Sequence, residues 1–357
     1  MTPAAGSAAA FAVRPELAAA MQTSTPLPPY KIGILGTANI ADRALIRPAR
    51  DVPEVRVDAV ASRSAERGRD YAAKFGIARS LDYDALIRDP QIDIVYIALP
   101  PSLHAEWSIK ALETGKHVLC EKPMTANGKE AEQVVAAVKR SKRVYMEAYH
   151  YCYHPFGKRV RDLVDTRAIG TIRSVEASLD VPAQRMGEDN IRRQFALGGG
   201  ALMDAGCYAL RFLCEILGEV QRVIDAKAEV DPKDRQVDMT MSARLAFAGG
   251  KQGLLHATFL AVDKLVASAI IRADAGTISI NQPYVPHSGG SLSMDWDGHH
   301  YVEQAIPTPS YLYQLRELVR CIRDGAPVLT SAENGARLMR SIDAIYAKAG
   351  LRPRGTV

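Results

Sequence analysis

Glu121, Lys122 and Pro123 directly follow the short apolar run His117–Cys120, which sets a lysine where a strand ends. In open α/β folds ligands bind outside the carboxyl ends of the strands. Proline biases the residue before it toward extended backbone, so Lys122 is expected to project from the strand end into such a crevice. The competing reading is a solvated surface turn, because Lys and Glu are seldom buried. A second dense motif is Gly198-Gly199-Gly200-Ala201-Leu202-Met203-Asp204-Ala205-Gly206-Cys207-Tyr208. Asp204 is placed to cap or begin a helix on which Tyr208, four residues on, shares its side. As a plain structural pair they would be an N-cap and a half-buried aromatic. With Lys122 nearby they gain a chemical use, because a phenol of pKa about 10 must be acidified to act as a base near neutrality, and an adjacent ammonium does this. A shift of about three units corresponds to roughly 4 kcal/mol, which needs a close charge in a poorly solvated cleft.

The third constellation is Gly33-Ile34-Leu35-Gly36-Thr37-Ala38-Asn39-Ile40-Ala41, a Gly-x-Ala-x-x-Ala form of the dinucleotide fingerprint that starts at Gly36. Small residues there let backbone approach a pyrophosphate, whose charge meets the amides and dipole of the next helix. Alone, Gly36 is also consistent with a tight strand-to-helix turn. At the end of the second strand an NAD site would carry Asp or Glu for the ribose hydroxyls; this chain has Ser62-Arg63, with Arg67 one turn on. A hydroxyl and a guanidinium suit a 2′-phosphate, so NADP is expected over NAD, although both arginines also fit a solvated helix start. Leu99, Pro100 and Glu121 join Lys122 in the expected cofactor set. His104 is placed to touch the nicotinamide ribose or to be a helix-start histidine without a ligand.

These residues need particular elements beneath them. Strands are expected near Lys31–Leu35, Val55–Ala61, Ile92–Leu99, His117–Cys120 and Val144–Ala148, with helices between them: Ser64 caps one running to Phe75, Leu103–Thr114 ends at Gly115, and Asn127–Ser141 presents Val134, Val135 and Val138. That alternation signals βαβ units around a doubly wound parallel sheet. After His150 the pattern becomes period-2 at Met239, Met241, Ala243, Leu245 and Phe247, followed by Gly249-Gly250 and a second run from Gly253 to Phe259. Val266–Arg272 and Thr277–Ile280 flank Asp274-Ala275-Gly276 as a hairpin. Helices are expected near Phe156–Val164, Asp204–Leu217, Tyr311–Arg323 and Ala332–Lys348. The fold class is therefore α/β, with an N-terminal Rossmann sheet and a C-terminal α+β unit carrying an open, largely antiparallel mixed sheet. The expected divisions are an arm or tail over 1–29, a cofactor domain over 30–150 and a substrate and oligomerisation domain over 151–357.

Bulk properties narrow the function. The chain has 357 residues, 47% hydrophobic and 24% charged, as in soluble globular proteins. A net charge of +5 without a Lys/Arg block argues against nucleic acid or a membrane surface as partner. Five cysteines without CxxC spacing suggest reduced thiols in a cytoplasm. No run approaches the roughly 18 apolar residues of a membrane span. No metal site is expected, and His299-His300 beside Asp297 reads as a polar loop.

Taken in order, the Gly36 loop, Glu121-Lys122-Pro123 and Gly199-Gly200…Asp204…Tyr208 resemble the glucose-fructose oxidoreductase, inositol dehydrogenase and rhizopine catabolism (Gfo/Idh/MocA) family, over about Tyr30 to the C-terminus. Tyrosine at 208, together with Met146-Glu147-Ala148-Tyr149 and Tyr153-His154-Pro155, is similar to the branch of glucose-fructose oxidoreductase, NADP-dependent xylose dehydrogenase and dimeric dihydrodiol dehydrogenase. That branch commonly carries arginine at Cys152 and an apolar residue at His150, so its sugar does not transfer directly. The resemblance implies that Lys122 and Tyr208 are the catalytic pair, that Asp204 positions the substrate with Tyr151 beside it, and that the open sheet joins subunits as a homodimer or homotetramer. The expected activity is hydride transfer between NADP and a sugar or cyclic polyol, aldose to lactone or a related keto-sugar reduction. The alternatives are a trans-dihydrodiol dehydrogenase and, from another class, a non-catalytic NADP-binding sensor or scaffold.

Overall fold

In a computed structural model the chain is described over residues 28–355 except 188 and 262, so the arm or tail expected over 1–29 lies almost wholly outside the described residues. Six short apolar runs become β1 (Tyr30–Leu35), β2 (Val55–Ala61), β3 (Arg79–Leu81), β4 (Ile94–Ile97), β5 (His117–Cys120) and β6 (Tyr145–Glu147). They form one parallel sheet of order β3-β2-β1-β4-β5-β6. All four residues of β4 are buried, as a strand covered by helices on both faces requires. Strand order reverses at β1, which opens a crevice between the carboxyl ends of β1 and β4. The connecting helices stop and start where their caps dictate. The Ser64 hydroxyl accepts from Arg67 N at 3.3 Å to begin Ala65–Phe75, and Asn127 caps Gly128–Ser141. The three-residue β3 and the helix Tyr83–Arg88 were too short to be predicted from periodicity.

The second sheet has eight strands: β7 (Ile172–Pro182), β8 (Val220–Val230), β9 (Asp238–Phe247), β10 (Gln252–Ala261), β11 (Val266–Ala273), β12 (Gly276–Asn281), β13 (Ser291–Trp296) and β14 (His299–Gln304). Their order is β14-β13-β12-β11-β7-β10-β9-β8, and β7 with β10 is the one parallel pair, so the expected mixed, largely antiparallel sheet is borne out. Val175, Ala177, Leu179 and Val181 of β7 point to the core, where the helix Cys207–Leu217 packs. Glu176, Ser178 and Asp180 alternate onto the other face with the exposed Leu254, Leu260 and Val266. One expectation fails here. His299-His300 is not in a polar loop: Asp297 (φ 45°) and Gly298 (φ 78°) make a two-residue hairpin turn, and both histidines lie in β14.

The last two helices return to the first sheet's side. Ser310–Asp324 packs on the turn His150–Tyr153 and on the helical segment after β1, and Ala332–Lys348 lies along Gly128–Ser141 while also touching β8. Both units thereby close around the carboxyl ends of β4, β5 and β6.

Candidate active site

Lys122 stands two residues beyond β5, before a cis peptide bond to Pro123. Its Nζ leaves the first sheet and meets the second unit, donating to Asp204 Oδ1 at 2.7 Å and to the Asp204 carbonyl at 2.8 Å. Asp204 Oδ2 accepts from Arg192 Nε at 2.6 Å, so one carboxylate holds two cations. Burial alone would raise the Asp204 carboxyl, but Lys122 and Arg192 outweigh it and hold the group well below the usual carboxylate range. Burial likewise opposes the Lys122 ammonium, and Asp204 reverses the sign, leaving its pKa raised.

Asp204 differs from its expected place. It lies inside a π-helical turn, Leu202–Gly206, that runs into the helix Cys207–Leu217, and no backbone amide is capped by its side chain. Such turns insert an extra residue into a helix and occur frequently at functional sites. Tyr208 remains on the same side, with Lys122 Nζ 4.9 Å from its ring centroid. The ammonium therefore faces the ring. The expected acidification is not what the surroundings produce: burial first, then Tyr311 and Glu121, push the Tyr208 phenol well above its ordinary value. Among the described residues none hydrogen-bonds its hydroxyl.

Aromatic rings wall this space. Tyr149, Tyr284 and Tyr151 stand 5.5, 5.7 and 6.1 Å from Tyr208, and His150 stands 6.3 Å away. Tyr151, expected at the substrate, is 2% exposed and supports the wall from behind. His150 stacks on Tyr311 at 3.9 Å, and His287, bonded to Ser310 Oγ at 2.9 Å, completes that edge. Arg192, Tyr284, His287 and Tyr311 were not foreseen. Each comes from a loop or helix start far along the chain from Lys122, with no periodic signal.

On the other side of Lys122 lies the Gly36 loop. Gly36 has φ 98°, and a Cβ there would stand 2.6 Å from the Ala98 carbonyl, so only glycine lets β1 turn this closely past β4. Among the described residues the amides of Thr37, Ala38 and Asn39 take no acceptor, while Tyr71 Oη donates to the Ala38 carbonyl at 3.1 Å and fixes the loop. Ile40 opens the following helical segment. At the end of β2, Ser62 Oγ accepts from Ser64 N at 3.2 Å, and Arg63 and Arg67 lie exposed beside Tyr83. Leu99 and Pro100 are half-buried at the mouth of the crevice. His104 takes another role than ribose contact. It is 1% exposed, with its two ring nitrogens 2.8 Å from the Pro123 and Leu99 carbonyls, and burial lowers its pKa to about 4. It ties the Lys122 segment to the end of β4. Glu121 Oε1 accepts from Tyr96 Oη at 2.6 Å beneath the same floor.

Residues 30–149 match the model of an oxidoreductase family with an NAD-binding Rossmann fold, and residues 158–279 match the GFO/IDH/MocA C-terminal domain. The chain is 33% identical over 320 residues to a D-xylose 1-dehydrogenase (NADP(+)) of Haloferax volcanii, covering 89% of this chain and 96% of that one. A 3-ketoreductase from Actinomadura kijaniata, solved with NADP and TDP-benzene, superposes with a TM-score of 0.81 at 28% identity, over 91% of this chain and 98% of that one. An aldose-aldose oxidoreductase from Caulobacter crescentus, complexed with glycerol, gives 0.82 at 26% identity over 90% and 98%. With its motifs, its two sheets and both family domains in register, this chain belongs to the Gfo/Idh/MocA family of oxidoreductases.

Proposed function

We propose that the protein is an NADP-dependent oxidoreductase that moves a hydride between the nicotinamide and a sugar or cyclic polyol, with Lys122 and Tyr208 as its catalytic residues. The observation that carries this reading is the Lys122 ammonium, held at 2.7 Å by Asp204 and 4.9 Å from the Tyr208 ring centroid, beside the Gly36 crevice. Residues 30–150 would bind the cofactor and residues 151–357 the substrate. The open amides of Thr37, Ala38 and Asn39 beside a side-chain-free Gly36 fit a pyrophosphate. Ser62, Arg63 and Arg67 fit a 2′-phosphate better than a bare ribose diol. When bound, the nicotinamide supplies or accepts the hydride.

The protein's own residues handle the oxygen and its proton. The Tyr208 hydroxyl keeps its proton through neutrality, so it is the donor for a carbonyl being reduced and must first lose that proton to serve oxidation. Lys122, kept charged by Asp204, stabilises negative charge developing on the substrate oxygen. Arg192 and Asp204 fix the position of that ammonium. Hydroxyls of a polyol find donors and acceptors at Asp204, Arg192 and His287. The relatives named above act on sugars, and trans-1,2-dihydrobenzene-1,2-diol dehydrogenase of Xenopus laevis is 30% identical over 65% of this chain. The half-buried Tyr208 ring, backed by the buried tyrosines 149, 151 and 284, favours an aromatic diol as the second reading.

The exposed Leu254, Leu260 and Val266 on the free face of the second sheet support a homodimer or homotetramer built there. All five cysteines are free thiols, which supports a cytoplasmic setting. A panel of aldoses, keto-sugars and aromatic diols, followed at the reduced-nicotinamide absorbance with NADP or NADPH, tests the activity. Sugars should react; reaction of the aromatic diols alone selects the second reading. NADPH binding without turnover of any compound contradicts catalysis.

A further inference from the structure

The Gly198–Gly200 run that leads into Asp204 rests on a guanidinium brought from beyond the last helix. Arg354 is completely buried, as is its partner Asp238. Its Nε donates to the Gly199 carbonyl at 2.6 Å, its Nη2 to Asp238 Oδ1 at 2.6 Å and its Nη1 to the Arg352 carbonyl at 3.0 Å. The plane lies over the Tyr346 ring at 3.9 Å, and Tyr346 Oη donates to the same Asp238 oxygen at 2.9 Å. Asp238 Oδ2 in turn accepts from Leu202 N, the first residue of the π-helical turn, at 2.7 Å. Gly200 has φ 130°, and a Cβ there would stand 2.7 Å from Arg354 Nη2 and 2.8 Å from Tyr346 Oη, so backbone passes directly over the ion pair.

Two further bonds carry this anchor to the active carboxylate. Gly200 N donates to the Arg192 carbonyl at 2.8 Å, and Asp204 N donates to the Gly200 carbonyl at 3.1 Å. Asp204 and Arg192, whose side chains pair, are thus both hung on the one short segment that Arg354 and Asp238 grip. From the segment's other side, Asn127 Nδ2 donates to the Arg354 carbonyl at 2.8 Å and fixes the tail to the helix Gly128–Ser141 of the cofactor-side unit. A purely stabilising buried pair has no need of these links, and hydrophobic packing of the same volume would serve it as well.

We propose that Arg354, through Asp238 and Gly199, is a positioning residue that sets the Asp204–Lys122 geometry of the catalytic site. The proposal rests on the catalytic roles given above for Lys122 and Tyr208. Arg354→Lys keeps the buried charge but cannot span Gly199 and Asp238 with a planar fork. Arg354→Met combined with Asp238→Asn leaves no buried charge unpaired. In either variant kcat should fall about 10- to 100-fold while the NADPH Kd changes less than about twofold, because misplacement acts on the chemical step and not on the distant phosphate loop. Amide hydrogen exchange without substrate should quicken over residues 199–206 and stay as in wild type over β1 and β4. Unchanged exchange over 199–206, or wild-type kcat in either variant, overturns the proposal. A wild-type protein that turns over no sugar or diol contradicts the functional reading alone, since the exchange measurement still decides whether Arg354 holds the segment.

Discussion

Lys122 Nζ, beyond the end of β5, and Asp204 Oδ1, in the π-helical turn of the second unit, stand 2.7 Å apart, and this contact joins the Gly36 crevice to the aromatic wall. Neither side chain is open to bulk water, at 12% and 22% exposure, so the pair is strong enough to fix geometry and still reachable by a substrate oxygen. Arg192 on the second oxygen of Asp204 leaves the cluster with one net positive charge, which suits an oxygen that becomes negative during reaction.

Asp204→Asn should lower stability by about 2 kcal/mol at pH 7, since it strips the shared anion from the buried Lys122 and from Arg192, whose partly exposed guanidinium water screens. The Asp204 pKa is depressed in the folded chain, so its stabilising contribution is complete above the unfolded carboxyl value and is lost as pH falls. Thermal melts of the two proteins should therefore differ at neutral pH and draw together below about pH 4. A constant difference across that range contradicts the assignment.

Tyr208→Phe removes one oxygen from a site otherwise unchanged in shape. Turnover should drop about 10²- to 10⁴-fold with little change in cofactor affinity. Because its surroundings hold the wild-type phenol above its ordinary pKa, reduction should stay level through neutral pH and oxidation should climb as pH rises. Steady-state rates in both directions across pH check this, and an oxidation rate that is level from neutral to alkaline pH counts against Tyr208 as the proton carrier.

Arg63→Ala should weaken NADPH about 10-fold or more and leave NADH nearly unaffected, as expected for loss of a guanidinium on a 2′-phosphate. Fluorescence titration with the two cofactors measures it. Equal losses for both would mean that Arg63 stacks on the adenine and does not select the phosphate.

Much of the scaffold was legible from β1, β2, β4 and β5, whose runs are apolar because helices cover both faces, and from Ser64 and Asn127 at their helix starts. Gly36 was legible because one backbone geometry demands it. Asp204 was only half legible: its residue type suggested a cap, whereas the oxygens that define its role meet a lysine 82 positions away. The acidified phenol expected at Tyr208 failed for the same reason, since its burial, and then the nearness of Tyr311 and Glu121, arise only through the fold. β14 escaped because its residues are nearly all exposed and show no alternation. Arg192 carried no signal, lying inside the three-residue turn Ile191–Arg193 with no period to mark a face.

Glu147 offers a pH test just beneath the Lys122 segment. It is 1% exposed, accepts from Met124 N at 2.7 Å, and is raised to about 7 by burial against the opposing pull of Arg211. The folded chain then holds a proton that the unfolded chain releases, so stability falls as pH climbs from about 4.5 to 7 and levels off above, by about 3 kcal/mol in all. Denaturant melts of Glu147→Gln should lack that decline. An equal slope in both proteins assigns it to another group.

On the proposed reading Lys122 acts on the substrate oxygen, and its loss leaves the cofactor crevice intact. Lys122→Met should bind NADPH by fluorescence titration with nearly wild-type affinity while single-turnover hydride transfer to or from the best sugar slows about 10²- to 10⁴-fold. Undiminished hydride transfer in that variant contradicts the account.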